Sequence, residues 1–507
     1  MRFVLTWLTA LAISAPASAA WNVAESKHFV IYSDDSPKHL ADFASQLERF
    51  DQAVRFATRM QDPEIGKGNR LTVFVMPAEK DVRAIMGDKT GFFAGFYVGR
   101  VAGSLAYVSK QSNDPDQMDR NAIFFHEYTH HLMKQDLQRP YPEWFVEGYA
   151  EFFSTPEFER SGAVWLGNIV KGRAYGLFAG PQMPVETLYQ GLQPCMTNEQ
   201  RDVFYGRSWL LAHYLLMDQK RNNHFNAYLV ALSNGTSSID AARQTIGDLK
   251  QVDKELDAYR NQRLMKFEVP ASVIHLQPIN VTPLSAGGSQ VILARAQIKH
   301  GVRGQEAEAL AAQLRVTGSR FSGDELVETT LAEAELAAGH PEAAEAAAER
   351  AIRTNPANTE AMILKGKAIA QRAETADDKA QHALFEEARR SLIAANKLDT
   401  EDPEPLYEFY RTFLSEHVRP TVNALAALHY ASDLAPQDLG VRMDSAIAYL
   451  HEGKAKEARS TLTVVAYSPH VGEAGDVAKR MISDIDSGNA GAALAELRHG
   501  PAAASSN

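Results

Sequence analysis

Cysteine is almost absent. Cys195 is the single one in 507 residues, so the chain cannot close an intramolecular disulfide. A chain of this length must then hold its shape by core burial, or with the help of a metal. With no histidine or asparagine setting around it, the lone thiol reads as a passive, semi-buried residue rather than a nucleophile. Long basic runs are missing too. The formal net charge is −11 and no concentrated positive stretch occurs, which argues against nucleic-acid binding. After the first twenty residues, no segment approaches the roughly 20 apolar residues that a membrane-spanning helix needs.

What is present begins with "MRFVLTWLTALAISAPASAA", residues 1–20, which reads as a secretory signal. Arg2 supplies the positive start, Phe3 to Ile13 the apolar stretch, and Ala17-Ser18-Ala19 a small-residue cleavage site. A periplasmic or secreted protein is expected, with no stable membrane span once the signal is removed. The rest has the composition of an ordinary folded chain, 45% hydrophobic and 23% charged, and its length predicts two or three domains. Residues 21–267 mix strands and helices. "HFVIYS" (28–33) and "LTVFVMP" (71–77) have strand patterns, and "GFYVGRVAGSLAYVS" (95–109) reads as a glycine-interrupted strand pair. "PKHLADFASQLERFDQAVRFATRM" (37–60) repeats apolar residues at helical spacing. Helices are also predicted from Asp114 and Pro115 to about Asp136, over 143–154, over 202–233, and in "DKELDAYRNQRLMKF". Residues 268–304 form a proline-punctuated, β-leaning connector, 305–485 a helical domain, and 486–507 a disordered tail.

The helical domain carries a repeat. Small residues recur at Ala344 and Ala351, at Gly366, Ala388 and Ala395, at Ala424 and Ala431, and at Ala446 and Ala458. Prolines at 356, 403, 436 and 469 close the units. Small side chains let paired helices approach, and proline stops the second helix of each pair. Four imperfect units of about 34 residues over 325–472 resemble the tetratricopeptide family, which implies an all-α superhelix offering a surface to a protein partner.

The chemistry-bearing stretch is "FFHEYTHHLMKQDLQRPYPEWFVEGYAEFF", residues 124–153. His126 and His130 stand four apart and project from one helix face, with Glu127 beside them, so two imidazoles and a carboxylate can share one cation and its water. His131 points off that face. A hydrolytic zinc needs a third protein ligand and an open fourth position. Asp136 lies ten residues after His126, where some zinc proteases place that ligand beyond a helix-breaking glycine. That slot is Met133 here, and a continuing helix sets Asp136 about 120° from His130. Glu147 is the better candidate. Glu143, Glu147 and Glu151 share one face of the second helix, and the aromatic residues around them imply burial, where a carboxylate needs a partner.

His126-Glu127-x-x-His130 followed by Trp144-x-x-Glu147-Gly148-x-Ala150-Glu151 resembles the gluzincin zinc metallopeptidases. The resemblance implies an α+β zincin-like metallopeptidase domain ahead of the tetratricopeptide superhelix. It implies Zn2+ held by His126, His130 and Glu147, with Glu127 as general base and Glu151 supporting a ligand histidine. Within "DVFYGRSWLLAHYLL" it points to Tyr205 as the hydroxyl donor to the oxyanion, while His213 and Arg207 read as structural. Family members add an extended peptide to an edge strand ahead of the active helix, and "GFYVGRVAGSLAYVS" has that place. The aminopeptidase branch carries a glutamate there. No acidic residue occurs between Thr90 and Asn113, so endopeptidase action on a peptide or protein is expected. The competing expectation is a catalytically inactive tetratricopeptide scaffold with a peptidase-like domain.

Overall fold

The computed structural model describes residues 21–87, 95–110, 120–135, 141–193, 195–468 and 471–496. The signal expected at 1–20, the helix start at Asp114 and Pro115, Asp136 and the closing Pro469 lie outside them. Among the described residues, no helix is long and apolar enough to cross a membrane.

The first part is built on a six-stranded sheet. In chain order its strands are β1 (Asn22–Glu25), β2 (Phe29–Ser33), β3 (Leu71–Met76), β4 (Gly95–Val98), β5 (Leu105–Ser109) and, much later, β9 (Asn280–Pro283), arranged β4-β5-β3-β2-β1-β9. The centre is parallel, with Phe29 opposite Leu71 and Thr72 opposite Leu105. The flanks are antiparallel, with Gly95 opposite Val108, Asn22 opposite Ser33 and Asn22 opposite Pro283. Parallel strands covered on both faces read as nearly continuous apolar runs, as in "LTVFVM". Val73, Val75, Ala106 and Val108 join the core under α1 (Pro37–Thr58). Phe74, Met76, Leu105 and Tyr107 face the other way, toward α2 (Glu79–Met86). Helix α1 starts where Ser36 accepts the N–H of His39 and Pro37 occupies the first turn. It buries Leu40, Leu47, Phe50 and Val54.

Helices α3 (Arg120–Gln135) and α4 (Glu143–Phe153) follow, then strands β6 (Glu157–Phe158) and β7 (Val164–Leu166). Six more helices are α5 (Ala174–Phe178), α6 (Val185–Gln190), α7 (Asn198–Leu216), α8 (Gln219–Ser233), α9 (Ser238–Thr245) and α10 (Leu249–Tyr259). The helix expected over "DKELDAYRNQRLMKF" ends at Tyr259, and Phe267 already begins β8 (Phe267–Val269), which pairs with β7. Cys195 is exposed rather than semi-buried.

The expected connector, 268–304, is not a separate piece. Its β9 completes the first sheet beside β1, and α11 (Ala286–His300) packs Ile292 and Ala296 onto the back of that sheet. The remainder is helical: α12 (Gly304–Arg320), α13 (Glu325–Ala337), α14 (Pro341–Thr354), α15 (Thr359–Glu374), α16 (Asp378–Leu398), α17 (Pro403–Ser415), α18 (Val422–Leu434), α19 (Leu439–His451), α20 (Ala455–Ala466), α21 (Glu473–Asp486) and α22 (Ala490–Glu496). Each packs on its predecessor, and α13, α15 and α17 also line up beside one another. All eight alanines that set the repeat are fully buried, and a methyl group on Gly366 would come within 2.9 Å of Leu392. Pro403 departs from expectation: it opens α17, capped by Asp402, instead of closing the helix before it. The tail expected to be disordered from 486 contains α22, whose Ala493 is buried.

The array also grips the sheet. Val101, in the tip between β4 and β5, enters an apolar cluster with Tyr410, Phe413, Leu428 and Val441. Its N–H donates to Asp438 Oδ2 at 2.8 Å, and Asn69 Nδ2 donates to the carbonyl of Leu434 at 2.7 Å. Behind the sheet, Tyr107 donates its hydroxyl proton to the Ala296 carbonyl. Lys299 there joins Glu333 and Glu360, at 3.0 and 2.7 Å.

Candidate metal centre

Helix α3 is two-faced. Phe124, Phe125, Tyr128 and Leu132 fill the core against the sheet and α1, with Phe125 4.3 Å from Phe50 between ring centroids. That packing sends His126 and His130 to the opposite side, toward α4. Their Nε2 atoms are 3.1 Å apart and the rings are nearly perpendicular, at 87°.

Helix α4 lies between α3 and α7. Its closeness to α7 depends on Gly148, where an added Cβ would sit 2.2 Å from the Ser208 carbonyl oxygen. Glu147 and Glu151 are thereby fully buried on the side facing the histidines. Glu147 Oε2 is 3.4 Å from His126 Nε2 and 3.7 Å from His130 Nε2. Bonds of 2.0–2.1 Å at tetrahedral angles place ligand atoms about 3.3 Å apart. The observed triangle, 3.1, 3.4 and 3.7 Å on its edges, is therefore one that a single tetrahedral cation can centre with little movement. Two imidazole nitrogens and a carboxylate oxygen are a donor set suited to zinc, whose binding would displace any proton held there.

Around this triangle, Glu151 Oε1 lies 3.6 Å from His126 Nδ1, the nitrogen that faces away from the other two groups. Burial alone would lower the His126 pKa. The Glu147 contact and the charges of Glu151 and Glu127 overcome it and push the imidazole up to about 9. Glu127 is half-buried and lines a pocket with Gly95, Phe96, Tyr97, Ile123 and Phe124, beneath β4 at the sheet edge. The Tyr205 ring is 6.4 Å from the His126 ring, and burial together with Glu147 raises its hydroxyl pKa, so the proton stays on.

Other sequence candidates fall outside the triangle. Glu143 is exposed and accepts the N–H of Leu192 at 2.7 Å. His131 turns away to Tyr97, Nδ1 to hydroxyl 2.7 Å, and burial drops its pKa to about 3. His213 is held by Tyr259 and the Met265 carbonyl, and Arg207 by Asp253. A second set of metal-capable groups, His28, Asp51 and Asp62, is satisfied from within: His28 bonds Glu48 and Asp62, and Arg55 and Tyr128 bond Asp51.

Sequence reading missed Arg173. It donates from Nε and Nη2 to Glu151 Oε1, at 2.9 and 2.7 Å, and from Nη1 to Asp202 at 2.7 Å. One arginine in "NIVKGRAYG" carries no spacing signal, because its partners lie 22 and 29 residues away.

No curated protein matches the chain. Residues 327–368, which cover most of α13, all of α14 and much of α15, match the tetratricopeptide repeat family, so this part of the array is a tetratricopeptide unit of the kind that generally mediates protein interactions.

Proposed function

We propose that the chain is a zinc-dependent peptidase of zincin-like, gluzincin type, acting in the periplasm or outside the cell, with the tetratricopeptide array contributing substrate or partner binding. The observation that carries this reading is the buried triangle of His126, His130 and Glu147, spaced for one tetrahedral ion. These three residues would hold the ion. When bound, zinc supplies a Lewis acid for the scissile carbonyl and a water acidified toward neutral pH.

The chain's own groups do the rest. An extended peptide adds its backbone to β4, which is bonded to β5 and stands at the sheet edge. Its scissile bond then lies above Glu127. The Glu127 carboxylate takes the proton from water as the water oxygen bonds the carbonyl carbon, and returns it to the leaving nitrogen as the C–N bond breaks. The Tyr205 hydroxyl donates to the oxyanion. Glu151, whose Oε1 faces His126 Nδ1 at 3.6 Å, holds the positive edge of the ring by its charge and so keeps Nε2 aimed at the triangle. Endopeptidase cleavage fits a β4–β5 hairpin without acidic side chains.

The tetratricopeptide match favours a second reading, a scaffold that binds metal without turnover. The test is a broad peptide library offered to wild type and to Glu127→Gln, with zinc content measured in both. Wild-type cleavage that falls about 100- to 10,000-fold in Glu127→Gln, at unchanged zinc content, supports the peptidase. A zinc-loaded wild type that cleaves nothing supports the scaffold, and equal cleavage by both proteins overturns the role of Glu127.

A further inference from the structure

We infer that Arg173 is a positioning residue of the hydrolytic site, one guanidinium that fixes both the carboxylate behind His126 and the ring of Tyr205. The inference rests on the peptidase reading and adds a residue to it.

Arg173 closes a short 3-10 turn, Lys171–Arg173, just before α5. Its fork meets three groups from two helices. Nε and Nη2 both reach Glu151 Oε1 on α4, and this is the same oxygen that stands 3.6 Å from His126 Nδ1. Nη1 reaches Asp202 Oδ1 on α7, three residues before Tyr205. The guanidinium carbon lies 4.9 Å from the centroid of the Tyr205 ring. The guanidinium thus lies over the aromatic ring while its N–H groups bond the two carboxylates, a combination that a planar fork allows and a lysine ammonium does not.

The physical need is clear at Glu151, which is completely buried. An ionised carboxylate there requires a fixed cation, and Arg173 supplies it. It does so on the oxygen that serves His126, so that oxygen cannot swing away. The same cation lies over the Tyr205 ring and so also positions it. Removing the fork frees both side chains at once. His126 then loses its rear support, and the Tyr205 hydroxyl its aim.

The test compares wild type with Arg173→Gln, Arg173→Lys and Tyr205→Phe, using peptide turnover, cobalt-substituted visible spectra and zinc affinity by chelator competition. Arg173→Gln is expected to lower kcat and zinc affinity each about 10- to 100-fold, to leave KM within about twofold, and to shift the cobalt bands. Arg173→Lys should restore thermal stability without restoring kcat. In the Tyr205→Phe background, the kcat loss from Arg173→Gln should be smaller than in wild type, because the two act together. Full recovery by Arg173→Lys, or an unchanged cobalt spectrum and affinity in Arg173→Gln, overturns the role of Arg173 while leaving the peptidase in place. A wild type that takes up neither cobalt nor zinc overturns the peptidase reading and this role with it.

Discussion

A methyl group at position 148 would lie 2.2 Å from a backbone oxygen of α7, and neither helix has a flexible side chain there that could yield. Gly148→Ala is therefore expected to push α4 off α7 and cost about 1–3 kcal/mol or more in denaturant unfolding. Zinc affinity should weaken alongside, because Glu147 and Glu151 flank that contact. At the other end of the core, His28 is buried between Glu48 and Asp62. Burial would lower its pKa, but the charge of Asp51 and the bonds from Asp62 and Glu48 raise it from about 6.5 to about 9. A raised base stabilises the fold fully below about pH 6.5, and this contribution fades as pH rises through about 9. Glu48 and Asp62 are shifted down despite burial, chiefly through His28, so their contribution fades as pH falls below about 4.5. His28→Gln should cost about 3 kcal/mol near pH 5–6, and less toward pH 9, when unfolding is followed against pH. That His126, His130 and Glu147 would meet was legible because helical spacing puts the two histidines on one face, and because glutamates among aromatic residues ask for a partner. Arg173 and His28 were not, since each acts through partners that only the tertiary fold brings near.

At the scale of elements, local patterns carried far. The alternation in β2, the apolar run of β3 and the period of α1 all read directly, and the repeat's small residues marked where helices touch. What could not be read was pairing across distance. Strand β9 has weak β character and takes its place because β1, more than 250 residues earlier, offers it an edge. The grip of the array on the β4–β5 tip is of the same kind. Val101 looks like an ordinary turn residue in sequence, yet it is buried among side chains of α17, α18 and α19. Val101→Asp would bury an uncompensated carboxylate there, and is expected to destabilise the protein by about 3–5 kcal/mol in thermal or chemical unfolding. Because β4 continues from that tip, peptide turnover should fall as well, chiefly through KM.

The whole molecule is tied together more closely than its composition suggests. The back of the sheet is covered by α11, and Tyr107, Phe74 and Leu105 pack against Ile292 and Ala296. A fragment ending at residue 267 would lose β9 and expose that apolar face, so it should aggregate or bind hydrophobic dyes, whereas the full chain should not. The array accordingly contributes to the first domain's stability, and the β4–β5 hairpin takes up some of its surface. Whether the His126, His130 and Glu147 triangle holds one ion is decided by metal analysis. After zinc loading and dialysis into metal-free buffer, the wild-type protein should retain a single zinc per chain, while His130→Ala and Glu147→Ala should retain almost none. A wild type that emerges without zinc, or a Glu147→Ala protein that keeps its full share, would show that this triangle is not a zinc site.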